Sequence, residues 1–108
     1  MITSSDQMII NLAAQRLKKQ LPVSRVILFG SKAKRADHAE SDIDLLVLTS
    51  TPITPSLRAA ISGCLADINL QHDTALSSVA VYEQEWEHGI ARYTLLHDEV
   101  QRDGIEIL

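Results

Sequence analysis

Residues 26–48, VILFGSKAKRADHAESDIDLLVL, decide the predicted fold and contain the candidate functional residues. Two apolar runs, Val26–Phe29 and Ile43–Leu48, enclose a polar segment and have the length and composition of buried β-strands. The second run is preceded by Asp42 and contains Asp44. Alternate residues of a strand share a face, so both carboxylates are predicted to project from one side of the second strand.

Two carboxylates aimed at one point repel each other unless a cation lies between them. Oxygen ligands of this kind suit Mg²⁺ or Mn²⁺, which take one or two carboxylates together with waters and substrate phosphates. The spacing of Asp42 and Asp44 therefore predicts a divalent metal site at the start of the second strand.

The turn after the first strand has the composition of a phosphate site. A short helix is predicted over residues 31–36, with Ser31 near its N-cap. Free N–H groups at a helix start attract anions, and Gly30 lets the backbone approach a phosphate closely. Lys32 and Lys34 either add positive charge to the phosphates or are simply solvated. The turn and the acid pair together favour metal-assisted chemistry on a nucleoside triphosphate.

Length and composition limit the alternatives. A chain of 108 residues, 45% of them apolar, predicts a single domain over residues 1–108 with a modest core. The net charge of −4 argues against non-specific nucleic-acid binding. The single cysteine, Cys64, excludes an internal disulfide and fits a reducing compartment. No membrane-length apolar run and no signal peptide are expected, so the predicted localisation is cytoplasmic.

Apolar periodicity predicts a mixed α/β (α+β) chain. An amphipathic helix is expected over residues 4–20, capped by Ser4 or Ser5, and a second helix from Pro55 or Ser56 to about Leu70. After Gly89, one longer helix is expected to run to about Asp103. Strands are predicted over residues 24–29, 42–49, 75–82 and 105–108.

The arrangement Gly30-Ser31, ten further residues and then Asp42-x-Asp44 resembles the nucleotidyltransferase signature of the DNA polymerase β superfamily. More narrowly, it resembles the small MNT-type (minimal nucleotidyltransferase) proteins. The resemblance implies a polymerase-β-like fold, a small mixed sheet with helices packed on it. It also implies Mg²⁺-dependent transfer of a nucleoside monophosphate, with ATP as the default donor, to a hydroxyl group.

Enzymes of this superfamily generally carry a third carboxylate near the start of the next strand, which completes the metal site or accepts a proton. Ala75 lies at or near that position here, and Asp73, two residues earlier, is the candidate. The alternative is that Asp73 is a turn residue and the site has two aspartates. The resemblance thus assigns Asp42, Asp44 and Asp73 to catalysis and metal binding, and Gly30, Ser31, Lys32 and Lys34 to the nucleotide.

Small members of this group are often encoded beside a helical HEPN-type protein, so the resemblance implies an antitoxin. It would neutralise its partner by adenylylating it, by binding it, or both. One alternative is a non-catalytic module with the same fold that acts only by covering its partner. Another is the catalytic subunit of a small-molecule nucleotidyltransferase. A homo-oligomer is compatible with each of these interpretations.

Overall fold

The computed structural model describes residues 3–30 and 42–107. The elements of the described chain, in order, are α1 (Ser4–Gln20), β1 (Val23–Phe29), β2 (Ile43–Thr49), α2 (Pro55–His72), β3 (Leu76–Tyr82), α3 (Glu83–His88), a 3₁₀ helix (Ile90–Tyr93), α4 (Leu95–Asp103) and β4 (Ile105–Ile107). The short helix predicted over residues 31–36 lies outside the described residues. Apart from the segment after Gly89, the other predicted elements are present within a few residues of their expected bounds.

The described strands form one mixed sheet in the order β3-β2-β1-β4. β1 pairs antiparallel with both β2 and β4, whereas β2 and β3 run parallel. The parallel pair needs a crossover connection, which α2 supplies. β1 and β2 are the interior strands and are covered on both faces, which explains why their sequences are nearly continuous apolar runs. The predicted mixed sheet with helices packed on it is confirmed.

One face of the sheet, here called the packed face, is covered by α1 and α2. Among the described residues, its buried cluster has 17 members and includes Ala13, Leu17 and Ile61 from the helices and Leu45 and Val47 from β2. The opposite face, here called the Trp86 face, has a buried cluster of five described residues: Ile27, Leu46, Leu48, Trp86 and Val100. The short helices α3 and α4 supply Trp86 and Val100. The sheet is therefore covered unequally on its two sides.

The capping of α1 differs from the sequence expectation. The N-cap is Thr3, not Ser4 or Ser5: its hydroxyl accepts a hydrogen bond from the Asp6 N–H at 3.0 Å, and the Asp6 carboxylate accepts from the Thr3 N–H. This reciprocal arrangement satisfies two N–H groups that a serine one position later would leave unpaired.

The chain after Gly89 also differs from the prediction of one longer helix. A 3₁₀ turn over Ile90–Tyr93 ends at Thr94, and the Thr94 hydroxyl accepts from the His97 N–H and so begins α4. A side chain that caps a new helix competes with continuation of the preceding one, which explains the break. Along residues 3–30 and 42–107, we find no helix with the length and apolar character needed to cross a bilayer.

Candidate active site

The half-buried carboxylate of Asp44 lies near the beginning of β2, between two neighbouring strands. In the strand register, Asp44 pairs with Phe29 of β1 and with Ser77 of β3. The Ser77 hydroxyl donates a hydrogen bond of 2.8 Å to Asp44 Oδ1. Because this bond fixes one carboxylate oxygen, the other oxygen is left for contacts at the end of β1.

Gly30 lies beside that second oxygen. Its backbone has φ +79°, in the left-handed region that glycine adopts at little cost. A Cβ atom at this position would lie 2.6 Å from Asp44 Oδ2, which is well inside van der Waals contact. Glycine is therefore required here both by the turn and by the approach of the backbone to the carboxylate. The turn that was predicted to hold phosphate does adjoin the acidic strand.

Asp42 lies immediately before β2 and is exposed. The chain is anchored at this point by the Ile43 N–H, which donates to the Ala75 carbonyl at 3.0 Å. Asp42 is thus at the mouth of the site, two positions before Asp44 along an extended segment. Both carboxylates are at the open end of β2, and Asp42 is the more accessible of the two.

Asp73 is at the C-cap of α2 in a left-handed conformation, with φ 52° and ψ 52°, and is exposed. The turn that contains it is held by Asn69, whose side-chain oxygen accepts from the Thr74 hydroxyl and the Leu76 N–H. Among the described Asp, Glu, His and Cys residues, no three lie together in a way that could hold a metal ion. The structure does not bring Asp73 into such a group with Asp42 and Asp44, and its role as a third carboxylate stays a prediction.

Ser77 is a site residue that the sequence analysis missed. It occupies the position of β3 that faces Asp44, two residues after Ala75. The parallel register of β2 and β3 would have pointed to it, but that register depends on the length of the α2 crossover and is not visible in either strand alone. The remaining predicted nucleotide-binding residues, Ser31, Lys32 and Lys34, lie outside the described residues.

The donor set fits a hard divalent cation. Asp42 and Asp44 supply carboxylate oxygens only, and no described His or Cys residue joins them in a possible metal site. Two protein carboxylates leave several coordination positions, which Mg²⁺ ordinarily fills with water and substrate phosphate oxygens. The Gly30 backbone approaches Asp44 more closely than a residue with a Cβ could, so no Gly30 side chain separates the turn from the carboxylate.

A family model described as "Polymerase beta, Nucleotidyltransferase" matches residues 11–105. The chain belongs to this family. The match runs from the middle of α1 to the first residue of β4, so the nucleotidyltransferase assignment applies to the fold as well as to the acid pair. No curated protein matches the chain.

Solved structures with the same fold include toxin–antitoxin complexes. One, a toxin–antitoxin with AMP-PNP, has TM-score 0.62 and 20% identity, with 98% of this chain and 73% of the other covered. A second, a MntA-HpeT variant with paired Asp-to-Glu substitutions, has TM-score 0.61, 19% identity and the same coverages. A third, from Shewanella oneidensis, is a tri-AMPylated HEPN toxin with its MNT antitoxin, with TM-score 0.60, 19% identity and coverages of 94% and 71%. At these identities the comparison establishes the fold.

Proposed function

We propose that this chain is a Mg²⁺-dependent nucleotidyltransferase that transfers AMP from ATP to a hydroxyl side chain of a HEPN-type toxin, and so acts as its antitoxin. The observation that carries the proposal is the position of Asp44 between the Gly30 turn and Ser77. Family membership supports the reaction class. The AMP-PNP complex and the tri-AMPylated HEPN toxin among structures of this fold support the donor and the acceptor.

The two aspartates share one task in this proposal, and Ser77 has another. Asp42 and Asp44 would hold the divalent cation, and Ser77 would keep the Asp44 carboxylate in one orientation through its hydrogen bond. When bound, the cation supplies neutralisation of the charge that develops on the triphosphate. Gly30 brings backbone close to the same point, and Ser31, Lys32 and Lys34 are the proposed contacts to the terminal phosphates.

The reaction would be a direct displacement at phosphorus. The acceptor oxygen forms a bond to the α-phosphorus of ATP, the bond from that phosphorus to the bridging oxygen breaks, and pyrophosphate leaves. The proton of the acceptor hydroxyl passes to a carboxylate, for which Asp73 is the candidate proposed from the sequence. ATP as donor and the single cysteine fit a cytoplasmic location for this activity.

A second candidate function, neutralisation by binding alone, is favoured by one observation. In the part of the chain that the structure describes, no third metal-ligating side chain joins Asp42 and Asp44. A site with two carboxylates and a serine could retain nucleotide affinity while its transfer rate is low. Substitution of the aspartates would abolish neutralisation by an enzyme and leave neutralisation by a binding module unchanged, so the two functions can be separated directly.

The test is incubation with α-labelled ATP, Mg²⁺ and the HEPN-type product of the adjoining gene. The wild-type chain, Asp42→Asn, Asp44→Asn and Asp73→Asn are compared, with Asp67→Asn as a matched control because Asp67 is an exposed aspartate of α2 outside the site. Label on the partner with wild type and Asp67→Asn, and none with Asp44→Asn, supports the enzyme. Loss of label with Asp73→Asn as well would assign the third carboxylate.

Toxin protection in cells completes the test. An enzyme loses protection with Asp42→Asn and Asp44→Asn, whereas a binding module protects equally well with both substitutions and labels nothing. Circular dichroism of each variant verifies folding. Asparagine at position 44 keeps an oxygen that can accept the Ser77 hydrogen bond, so the variant is expected to fold.

A further inference from the structure

The edge of the sheet at β3 carries backbone groups that the described chain leaves unpaired. Ala75 directs its carbonyl toward β2, where it accepts from the Ile43 N–H. Along a strand the N–H and C=O pairs point alternately to the two sides. Ser77, Val79 and Val81 therefore bond to β2, whereas the groups of Leu76, Ser78, Ala80 and Tyr82 point away from the sheet.

The first of these outward pairs is already occupied. The Asn69 side chain accepts from the Leu76 N–H at 2.9 Å and donates to the Leu76 carbonyl at 3.1 Å. The amide of Asn69 thus imitates one peptide group of a neighbouring strand. Over residues 3–30 and 42–107, no comparable cap reaches Ser78 or Ala80. The open edge begins at Ser78 and ends at Tyr82, where α3 begins.

As far as residues 3–30 and 42–107 show, this open edge lacks the charges and prolines that usually protect an edge strand. The sequence of β3, LSSVAVY, contains no charged residue and no proline, and both of these are common protective devices. Val79 is 40% exposed although it is apolar. The other edge contrasts with it: β4 has three residues, and its central Glu106 is held by Arg25 at 2.7 Å.

We infer that β3 pairs antiparallel with β3 of a second copy of this chain, with Ala80 on the two-fold axis. In that register Ala80 faces Ala80 of the second copy, and Ser78 faces Tyr82. The outward backbone groups of Ser78, Ala80 and Tyr82 then all bond to the second copy. The pairing ends before Leu76, whose backbone groups already bond to Asn69. In a register shifted by two residues toward the start of β3, Leu76 would have to pair with Tyr82 of the second copy. The Asn69 side chain already bonds the backbone of Leu76, so the cap excludes that register.

The side chains are self-complementary in this arrangement. Val79 lies opposite Val81 of the second copy, and the contact occurs twice because an isologous interface repeats every pair. Cross-strand pairs of β-branched residues stabilise antiparallel strands. On the other face, Ser78 meets Tyr82 and the two small Ala80 side chains meet each other. No charged side chain of β3 opposes another, and this absence of charge favours a second copy as the occupant.

The two-fold axis in this arrangement is perpendicular to the sheet, so both copies present the same face on the same side. The two sheets join into one, and the two Asp44–Ser77 sites lie on its Trp86 face. The paired segment starts one residue after Ser77, so it leaves the Asp44 hydrogen bond intact. The inference concerns assembly and does not depend on the proposed transfer reaction.

A cysteine at the axis tests the register. Directly opposite residues of hydrogen-bonded antiparallel strands have Cα atoms about 5.5 Å apart, which is within reach of a short bifunctional thiol cross-linker. In a Cys64→Ser background, Ala80→Cys is expected to form a covalent dimer with such a cross-linker. Ser78→Cys is the matched control, because in this register each Ser78 faces Tyr82, and it should remain monomeric on a non-reducing gel. Equal cross-linking of both, or of neither, would overturn the proposed register.

Sedimentation equilibrium of the full chain tests the dimer itself. The wild type is expected at twice the 11.9 kDa of one chain at micromolar to submillimolar concentrations. Ala80→Pro removes an outward N–H and leaves the β2 ladder bonds, and Val79→Lys adds an edge charge; each should weaken association about tenfold or more. Met8→Lys, at a 64% exposed apolar residue of α1, should leave association unchanged. A monomeric wild type, or a dimer insensitive to both edge variants, refutes the inference.

Discussion

The two faces of the sheet differ in how they are covered. In the part of the chain that the structure describes, α1 and α2, of 17 and 18 residues, bury a 17-residue cluster on the packed face. On the Trp86 face of the same described part, α3 and α4 have six and nine residues and bury a cluster of five. Asp44 and Ser77 are on the Trp86 face, in the same alternation as Leu46 and Leu48. Within residues 3–30 and 42–107, the candidate carboxylate is therefore on the side that the helices cover less.

The difference fits the proposed function. A face that only stabilises can be closed by long helices, because each buried apolar side chain adds to the free energy of unfolding. A face that binds a nucleotide has to leave one end of the strands accessible to a charged ligand. Polar residues take the place of apolar ones at both ends of the Trp86 face. These are Asp44 and Ser77 at one end, and Arg25 and Glu106 at the other.

The largest expected effect compares two adjacent leucines on opposite faces. Leu45 and Leu46 are both 0% exposed, Leu45 in the packed-face cluster and Leu46 in the Trp86-face cluster. Leu45→Ala should lower the free energy of unfolding by about 3–5 kcal/mol, and Leu46→Ala by about 2–3 kcal/mol, because the thinner layer can close over the cavity. Urea denaturation measures both. Equal losses would contradict the claim that the two faces differ in packing.

Gly30→Ala tests the closeness of the turn to the acid. A Cβ 2.6 Å from Asp44 Oδ2 must displace the carboxylate, and alanine at φ +79° costs about 1–2 kcal/mol. Displacement of a catalytic group by about 1 Å can reduce turnover about 100-fold. The labelled-ATP assay should show this loss, and thermal melting should show the smaller destabilisation. Unchanged transfer with Gly30→Ala would mean that Asp44 does not act in the position seen here.

Ser77→Ala removes the hydrogen bond that orients Asp44. Removal of a group that positions a metal ligand typically costs about 10–100-fold in activity or metal affinity. We expect the lower end, about tenfold, with a change of no more than about 0.5 kcal/mol in stability because Ser77 is exposed. Ser78→Ala, one residue along the same strand, is the matched control. Equal effects of the two substitutions on transfer would show that Ser77 does not orient Asp44 for the reaction.

The smallest expected effect concerns the opposite rim of the Trp86 face. Arg25 bonds to Glu106 at 2.7 Å and to Glu87 at 3.0 Å, and its side chain is 34% exposed. The hydrogen bond to Glu106 is the main reason that the pKa of Arg25 is raised above its usual value. Arg25 therefore stays charged at neutral pH, and added salt is the direct way to weaken the pair. A double-mutant cycle of Arg25→Met and Glu106→Gln should give a coupling of about 0.2–1 kcal/mol that falls in high salt. A coupling independent of salt would show that packing of the Arg25 stem, not charge, holds this rim.

Much of the fold could be predicted from local patterns. The apolar stripe of α1 and the continuous runs of β1 and β2 reflect burial, and burial is visible in periodicity. Gly104, the residue that follows α4, shows where such reasoning stops. Its φ of −66° is open to any residue, but a Cβ there would lie 2.5 Å from the Val100 carbonyl of α4 and 3.0 Å from the Ile27 side chain of β1. The approach of Gly104 to β1 brings two distant segments together, and such a contact has no signature in a single segment.

The sequence by itself determined the acid pair, the glycine turn beside it and the alternation that puts Asp44 on one face of β2, because each depends on residues only a few positions apart. Tertiary structure alone decided that Ser77 orients Asp44 and that Asn69 closes the first outward pair of β3. It also decided that the Trp86 face is the open one. These facts depend on the parallel register of β2 and β3 across the α2 crossover, and pairing between segments about 30 residues apart is set by the packing of the whole domain.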